Sequence, residues 1–345
     1  MRLQRSPNAQ SPAGRFPPNL PALSFSTDIT IRNSHPLASV HHLGMEIDLP
    51  EALTKLLARP GLTDLILNGH LHTYIDVGQG LIRTSNPFET QAELAQTLIE
   101  LGFQTGARVD IAKPISDFVI SGLRFHVVLG HGVSNSPMVS IRKHPATQVR
   151  LEHLLEVGMF TQGQLESLRD MLLARENIVV AGATSAGKTT LLGALIAELD
   201  ERVICIEQIP ELVLTEPAIS LHERPANQEG LGAISMQQLV IEALRMRPDR
   251  IVVGEIRGSE FGVLLQAMNN GHRGTMTTLH CKSLADLPNR LILLGMLSGF
   301  DREMTGQMVS QSFDVVLQLE RVSGVRKLTQ IGRFGQGLKI SEVAA

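Results

Sequence analysis

The clearest chemical signal in the sequence is a glycine-rich run with one lysine and several hydroxyl side chains, Gly182-Ala183-Thr184-Ser185-Ala186-Gly187-Lys188-Thr189-Thr190. Its glycines allow backbone N–H groups to turn toward phosphate oxygens, and the N-terminus of a following helix adds positive potential. In such a loop Lys188 would reach the terminal phosphates of a nucleotide, and the Thr189 hydroxyl would bind Mg²⁺. The alternative is a glycine-rich turn with an incidental lysine. The apolar segments on both sides of the run favour the phosphate-binding loop.

Acidic side chains at strand ends are the second requirement of a site for a metal-bound triphosphate. Glu255 follows an apolar strand at residues 251–253, Glu207 ends another at Val203–Glu207, and Glu211 lies just beyond it. Such carboxylates can hold magnesium through water or orient the attacking water. Either acid alone could be a solvated loop residue. Two of them behind a phosphate-binding loop favour a functional role.

The elements around these residues alternate between strand and helix patterns, which predicts a parallel sheet covered on both faces. His280 ends one strand, at the edge where ligands gather in such sheets, although a single histidine is more often structural. Ser235 and Gln238 have the spacing of a capping box at a helix start. The predicted strands are 177–181, 203–207, 251–253 and 275–279, the helices are 162–174, 259–268 and those that begin near 188 and 235, and a hairpin of 313–321 and 325–333 turns at Ser323-Gly324.

Upstream of this region the pattern predicts a smaller α+β domain, residues 45–144. Its helices are expected at 51–58 and 91–101, and its strands at 63–67, 72–77, 118–120, 124–129 and 138–142. Residues 1–44 hold six prolines and four arginines against one aspartate, so we expect a disordered basic tail. The predicted organisation is the tail 1–44, the α+β domain 45–144, a linker 145–160 and the α/β domain 161–345.

Composition excludes several classes of protein. The chain has 345 residues, a net charge of -3, no Trp, one Tyr and two Cys. Near-neutral charge and few aromatic rings disfavour a nucleic-acid-binding platform, and two cysteines cannot form a disulfide framework or a four-cysteine zinc site. No apolar run approaches the roughly 18 residues that would span a bilayer. We therefore expect a cytoplasmic protein that meets a membrane only through partners.

Four ordered motifs strongly resemble those of the secretion and pilus ATPases. They are a Walker A loop at 182–190, an Asp box at 206–212, a Walker B segment at 244–258 and a His box at 267–280. The likeness is closest to the tight-adherence (Tad/Flp) pilus branch, next to the type IV secretion ATPases, and covers about residues 60–335. It implies a RecA-like P-loop domain after a smaller, PAS-like α+β domain, a cytoplasmic homohexamer, and ATP with Mg²⁺ between the two domains.

The resemblance also implies roles for individual residues. Arg124 and Arg142 match arginines that reach the nucleotide from the N-terminal domain, Glu211 matches the Asp-box acid, Glu255 the Walker B acid and His280 the nucleotide-sensing histidine. Thr189, Glu255 and Glu207 are the expected magnesium ligands, partly through water. Arg245 and Arg257 also match family arginines, with a structural ion-pair role as the alternative.

Two departures from the family pattern leave alternatives open. The Asp box contains Glu207-Gln208 where Glu-Asp is usual, and the tetracysteine zinc module of the type II branch is absent. The main interpretation is a motor for Tad pilus assembly that docks on inner-membrane platform proteins. The alternatives are a type IV substrate-translocation ATPase, a nucleic-acid motor, and a nucleotide-gated scaffold that hydrolyses ATP weakly because of Gln208.

Overall fold

A computed structural model describes residues 41–42, 45–46, 49–78, 80–143, 147–226 and 231–343. The predicted tail, residues 1–44, lies outside the described residues except for His41–His42. That pair forms β1, which pairs antiparallel with β2 (Met45–Glu46).

The N-terminal module (residues 49–143) is built on a six-stranded antiparallel sheet with the order β5-β4-β3-β8-β7-β6. Burial alternates along β3 and β7, as expected for strands that turn one face to a core. Leu53 and Leu94, from its two helices, complete that core. The elements are α1 (Glu51–Leu57), β3 (Asp64–Asn68), β4 (His72–Asp76), β5 (Leu81–Thr84), α2 (Gln91–Gln104), β6 (Ile115–Ile120), β7 (Leu123–Val128) and β8 (Met138–Lys143).

The C-terminal module (residues 147–343) is built on an eight-stranded sheet flanked by helices. Its elements are α3 (Leu151–Glu156), α4 (Gln162–Leu173), β9 (Ile178–Gly182), α5 (Lys188–Ile196), β10 (Val203–Glu207), β11 (Ile219–His222), α6 (Met236–Leu244), β12 (Arg250–Val253), α7 (Glu260–Asn269), β13 (Met276–His280), α8 (Leu287–Leu297), α9 (Arg302–Ser312), β14 (Val315–Val322), β15 (Val325–Phe334), a short 3₁₀ turn (Gln336–Leu338) and β16 (Ile340–Val343).

The strand order of this sheet is β11-β10-β12-β13-β9-β14-β15-β16. Pairing is parallel from β11 to β14, which confirms the parallel sheet predicted from the alternating pattern. The hairpin around Ser323-Gly324 is also confirmed. It adds β15 and β16 as antiparallel strands, because β14 pairs in parallel with β9 and the tight turn then reverses the chain.

Buried residues cover both faces of the sheet. Every residue of β9 is buried, with Ile178 and Val180 in the core on one face and Val179 and Ala181 in the core on the other. This is the period of two that a strand imposes. The core of the N-terminal module is a separate cluster, so the two modules do not share an apolar interior.

Some elements were absent from the sequence prediction. The strands β5, β11 and β16 are edge strands of four residues, too short to show a period. Helices α8 and α9 were also missed: α8 has a proline in its first turn, and α9 is mostly polar. The stretch predicted as a linker contains α3, whose Leu151 and Leu154 pack in the core with α5.

The predicted capping box at α6 forms in part, since the Ser235 side chain accepts a hydrogen bond from the Gln238 N–H at 3.2 Å. A complete box begins α4 instead, where Thr161 and Gln164 cap each other. Among the helices that the structure describes, none is long and apolar enough to cross a membrane.

Candidate nucleotide site

The predicted phosphate-binding loop joins the end of β9 to the start of α5. Ser185 and Gly187 have left-handed backbone conformations, with φ of 61° and 96°, and position 187 favours glycine for that reason. A Cβ on Gly182 would lie 2.6 Å from the backbone oxygen of Leu319 on β14, so position 182 also requires glycine. The loop ends at the N-terminus of α5, where backbone N–H groups without helical partners attract anions.

Lys188 begins α5 and is buried, with 7% of its surface exposed. Its Nζ donates a hydrogen bond to the Ala183 backbone oxygen at 2.9 Å and lies 3.5 Å from Nδ1 of His280. Burial lowers the pKa of the Lys188 ammonium, partly opposed by the nearby Glu255 carboxylate. The ammonium is therefore held at the loop by the Ala183 carbonyl oxygen. A phosphate oxygen could replace that carbonyl oxygen as the hydrogen-bond acceptor.

Glu255 follows β12 and meets side chains from two directions. Its Oε1 lies 3.3 Å from Nε2 of His280, and its Oε2 accepts from Nη2 of Arg257 at 2.7 Å. Arg257 also donates to the Gln208 side-chain oxygen at 3.0 Å. Burial, followed by the charge of Lys188, lowers the pKa of His280, so its ring is neutral near pH 7. The structure thus brings Glu255, His280 and Lys188 together.

The two acids of the Asp box have different environments. Glu211 accepts a hydrogen bond from the Thr189 hydroxyl at 3.4 Å and remains partly exposed. Glu207 is buried, and its Oε1 accepts from the backbone N–H groups of Glu211 and Leu212, both at 3.0 Å. Its Oε2 accepts from the Ser220 hydroxyl at 2.9 Å. Burial raises the pKa of Glu207, opposed by those backbone hydrogen bonds.

The hydrogen bonds that Glu207 accepts leave it poorly available for the magnesium binding expected from the sequence. Both of its oxygens already accept hydrogen bonds from the protein, so its position argues for holding the Glu211 loop rather than a metal. Thr189 and Glu255 remain the predicted ligands.

The N-terminal module contributes arginines to a cleft of about 390 Å³. Arg124 reaches across it to Glu211, with 3.6 Å between Nη1 and Oε1, and also pairs with Asp117. Arg142 lines the same cleft and donates to Asp64 at 2.9 Å. Both predicted arginines therefore face the phosphate-binding loop.

Most of the loop also lines this cleft, namely Thr184, Ser185, Gly187, Lys188, Thr189 and Thr190. Gly182 and Ala186 are buried behind it, and Ala183 contributes its backbone oxygen to Lys188. Arg245, the residue after α6, pairs with Glu242 of that helix and is absent from the cleft lining, which favours the structural alternative for that residue. Arg257, in contrast, contacts Glu255.

Two cleft residues, Arg321 and Arg326, were not identified from the sequence. They come from the β14–β15 hairpin, and Arg326 donates to the Ser185 backbone oxygen at 3.1 Å. The turn at Ser323-Gly324 predicted the hairpin. Its place beside the loop follows from the pairing of β14 with β9, which no local signal specifies.

The side chains present fit a nucleotide with its magnesium ion. The buried Lys188 has an ammonium directed at the loop, and Thr189 offers a hydroxyl beside it. The described residues contain no cluster of three His, Cys, Asp or Glu side chains that could hold a metal ion by themselves. Magnesium in nucleotide sites takes most of its ligands from phosphates and water, so one hydroxyl and one carboxylate suit it.

The chain is similar to known secretion and conjugal transfer proteins. The family model of type II/IV secretion system proteins matches residues 123–332. A Mycobacterium tuberculosis (strain H37Rv) protein named for conjugal transfer is 36% identical over 87% of this chain and 88% of its own. The conjugal transfer protein TrbB of Rhizobium radiobacter is 28% identical over 78% of this chain and 83% of its own. Among solved structures, the Yersinia pseudotuberculosis ATPase DotB has a TM-score of 0.60 at 18% identity and covers 93% of this chain and 85% of its own.

The chain belongs to the type II/IV secretion system protein family, whose model matches more than half of it. It is an ATPase of that family, with a RecA-like P-loop domain after a smaller N-terminal α+β domain. The fold class and the family predicted from the sequence are confirmed.

Proposed function

We propose that this chain hydrolyses Mg-ATP as one subunit of a homohexameric ring that powers pilus assembly or protein export at the inner face of the cytoplasmic membrane. The observation that carries the proposal is the meeting of Lys188, Glu255 and Arg124 around one cleft between the two modules. The three side chains supply a charge for phosphate, a carboxylate for water and a guanidinium for the transferred group.

Lys188, Glu255 and Thr189 would have different roles in ATP hydrolysis. Lys188 binds the terminal phosphates in place of the Ala183 oxygen. Glu255, fixed between Arg257 and His280, accepts a hydrogen bond from the attacking water and so orients it. Bound magnesium would neutralise phosphate charge, with Thr189 holding the ion directly and Glu255 through water.

The arginines of the N-terminal module act on the charge that develops during transfer. A planar guanidinium suits a transferring phosphoryl group better than an ammonium. Arg124 would move from Glu211 to the phosphoryl oxygens. Arg142 would add positive charge to the same side of the cleft. His280 ends β13 and contacts both Lys188 and Glu255. A nucleotide that moves either side chain would therefore also displace His280 and the end of that strand.

Phosphate release in the presence of Mg²⁺ tests the catalytic part of the proposal. The wild-type chain is expected to hydrolyse ATP, and Lys188→Ala to abolish turnover. Lys55→Ala, which removes an exposed lysine that pairs with Glu51 on α1, is the matched control and should keep full activity. Magnesium-dependent turnover that survives Lys188→Ala would refute the assignment.

The ring is a separate expectation, and it rests on the family resemblance. Native mass spectrometry with and without ATP should give a mass of six chains. A chain that stays monomeric at every protein concentration while it hydrolyses ATP would contradict the hexamer.

Two transport roles are compatible with the same motor. The motif resemblance favours assembly of a Tad/Flp pilus on inner-membrane platform proteins. The relatives named for conjugal transfer favour substrate translocation through a type IV apparatus. Pull-down of the full chain with candidate platform proteins and with type IV channel components distinguishes the two, since only one set should be retained.

Direct binding to nucleic acid is not expected, and salt-sensitive DNA binding would revive a nucleic-acid motor.

A further inference from the structure

Two arginines stand directly opposite each other at the tip of the β14–β15 hairpin. Arg321 and Arg326 are register partners across this antiparallel pair. Like charges in this relation destabilise a sheet, and both residues are exposed, so a bound anion would relieve a repulsion that water otherwise screens. Both side chains line the nucleotide cleft.

The described part of the chain offers neither arginine an ion-pair partner. Arg321 donates from Nε to the Gly324 oxygen at 3.0 Å and from Nη2 to the Gly78 oxygen at 3.2 Å. Arg326 donates from Nε to the Ser185 oxygen at 3.1 Å. All three acceptors are neutral carbonyls, so among the described residues no carboxylate pairs with either positive charge.

The nearby acids of the cleft have other partners. Asp64 pairs with Arg142, and Asp76 accepts hydrogen bonds from the backbone N–H groups of Gly78 and Gly80 at 2.7 and 3.1 Å. The two opposed guanidinium groups therefore retain donors for an anion that enters the cleft, because each guanidinium carries five N–H groups.

Arg326 also packs on the phosphate-binding loop itself. An ideal Cβ on Gly187 would lie 3.1 Å from Cδ of Arg326, so the aliphatic stem covers that glycine. The hydrogen bond to the Ser185 oxygen holds a residue with left-handed φ of 61°, a conformation that is unfavourable for a non-glycine residue. Arg326 thus stabilises the turn that surrounds the phosphates.

We propose that Arg321 and Arg326 form a phosphate-binding pair of the nucleotide cleft, supplied by the C-terminal module opposite Arg124 and Arg142. Arg326 positions the loop and contacts a phosphate from that side. Arg321 contacts the phosphates while its bond to Gly78 holds the N-terminal module close. This inference rests on the proposed nucleotide-binding function and adds two residues to it.

The test measures equilibrium binding of a fluorescent ADP analogue to the full chain, with competition by AMP, ADP and ATP. The variants are Arg321→Ala, Arg326→Ala and Arg326→Gln, and the control is Lys327→Ala. Lys327 neighbours Arg326 on the same hairpin, is exposed and is absent from the cleft lining. Thermal unfolding without nucleotide shows whether each variant is folded.

Each arginine variant should bind ADP about tenfold more weakly, the loss of one charge-assisted hydrogen bond, whereas the Lys327→Ala affinity stays within about twofold of wild type. The loss should grow from AMP to ATP, a trend that a merely structural role would not produce. Folded Arg321→Ala and Arg326→Gln proteins with wild-type ADP affinity would overturn the inference. Lys188→Ala separates the two proposals. If Lys188→Ala also binds ADP like wild type, the proposed function itself fails. If Lys188→Ala loses ADP binding while the arginine variants keep it, only the arginine pair is wrong.

Discussion

The guanidinium of Arg124 lies 3.6 Å from the carboxylate of Glu211, on the opposite side of the nucleotide cleft. The same carboxylate accepts a hydrogen bond from the Thr189 hydroxyl. One acid thus connects the N-terminal module to the hydroxyl proposed to bind magnesium. If Arg124 turned to a phosphate as proposed, Glu211 would lose a positive neighbour while still accepting the hydrogen bond from Thr189.

Replacing Arg124 tests this connection. Arg124→Ala should lower kcat about 100-fold or more, the usual effect of removing one donor that stabilises a transition state, while the protein stays folded. Arg124→Lys should recover little, because an ammonium lacks the planar fork. Steady-state ATPase kinetics measure the loss. Arg108→Ala, which breaks a pair with Asp110 in the same module, should behave as wild type, and equal losses in both variants would contradict a specific role for Arg124.

Glu207 should prove to be a positioning residue. Glu207→Ala leaves the N–H groups of Glu211 and Leu212 without their acceptor, and should lower the free energy of unfolding by about 2 kcal/mol. Denaturant unfolding measures this. The Mg²⁺ concentration that gives half-maximal turnover should stay within twofold in Glu207→Gln and rise in Glu255→Gln. A shift in Mg²⁺ requirement for Glu207→Gln at unchanged stability would make Glu207 a metal ligand.

A carboxylate at position 208 should have little effect on turnover. Arg257 already lies 3.0 Å from the Gln208 oxygen, so it would neutralise the charge that Gln208→Glu adds. We expect kcat to change less than about threefold, since the added ion pair is worth about 1 kcal/mol or less. A much larger gain in single-turnover and steady-state rates would favour the weakly hydrolysing scaffold.

Glu201 should make stability depend on pH. Its carboxylate accepts hydrogen bonds from Arg250 at 3.0 Å, and these lower the pKa of Glu201 below its ordinary value of 4.5. A lowered pKa means that the stabilisation is complete above pH 4.5 and is lost as the pH falls through the folded-state pKa. Because the Arg250 side chain is 2% exposed and that of Glu201 27%, Glu201→Gln should cost about 2 kcal/mol at neutral pH, somewhat less than for a fully buried pair.

Denaturant unfolding of wild type and Glu201→Gln at neutral pH and below pH 4.5 measures this dependence. The difference between them should shrink in acid. A difference that is constant with pH would show that the pair adds nothing through its charge.

The contact between α8 and α9 requires glycine at position 295. A Cβ there would lie 2.1 Å from Oγ1 of the buried Thr305, so Gly295→Ala should lower the free energy of unfolding by about 1 to 3 kcal/mol. Gly306→Ala in α9 is the control, because the nearest atom is 3.9 Å away. That change should stabilise the protein by about 0.5 to 1 kcal/mol. Equal effects in chemical denaturation would refute the packing argument.

The sequence specified the residues whose roles depend on local structure. Gly187 and Lys188 belong to a loop whose conformation is set by adjacent residues, and Glu255 lies two residues after the apolar run 251–253. Glu207 has a similar local signal, yet it is buried, and its carboxylate accepts a hydrogen bond from Ser220 on the neighbouring strand β11. Arg321 and Arg326 depend on sheet order and hairpin register. Long-range pairing of this kind leaves no mark in a short window of sequence.

Because the two modules have separate cores, the cleft between them should be sensitive to the ionic strength of the solution. Within the described residues, the polar contacts between the modules are Arg124 with Glu211 and Arg321 with Gly78. Arg124 and Glu211 keep 28% and 30% of their side chains exposed, and mobile ions screen such pairs over a Debye length of about 10 Å at 0.1 M salt. Ionic strength should therefore change the resting angle between the modules while leaving the interior of each one intact.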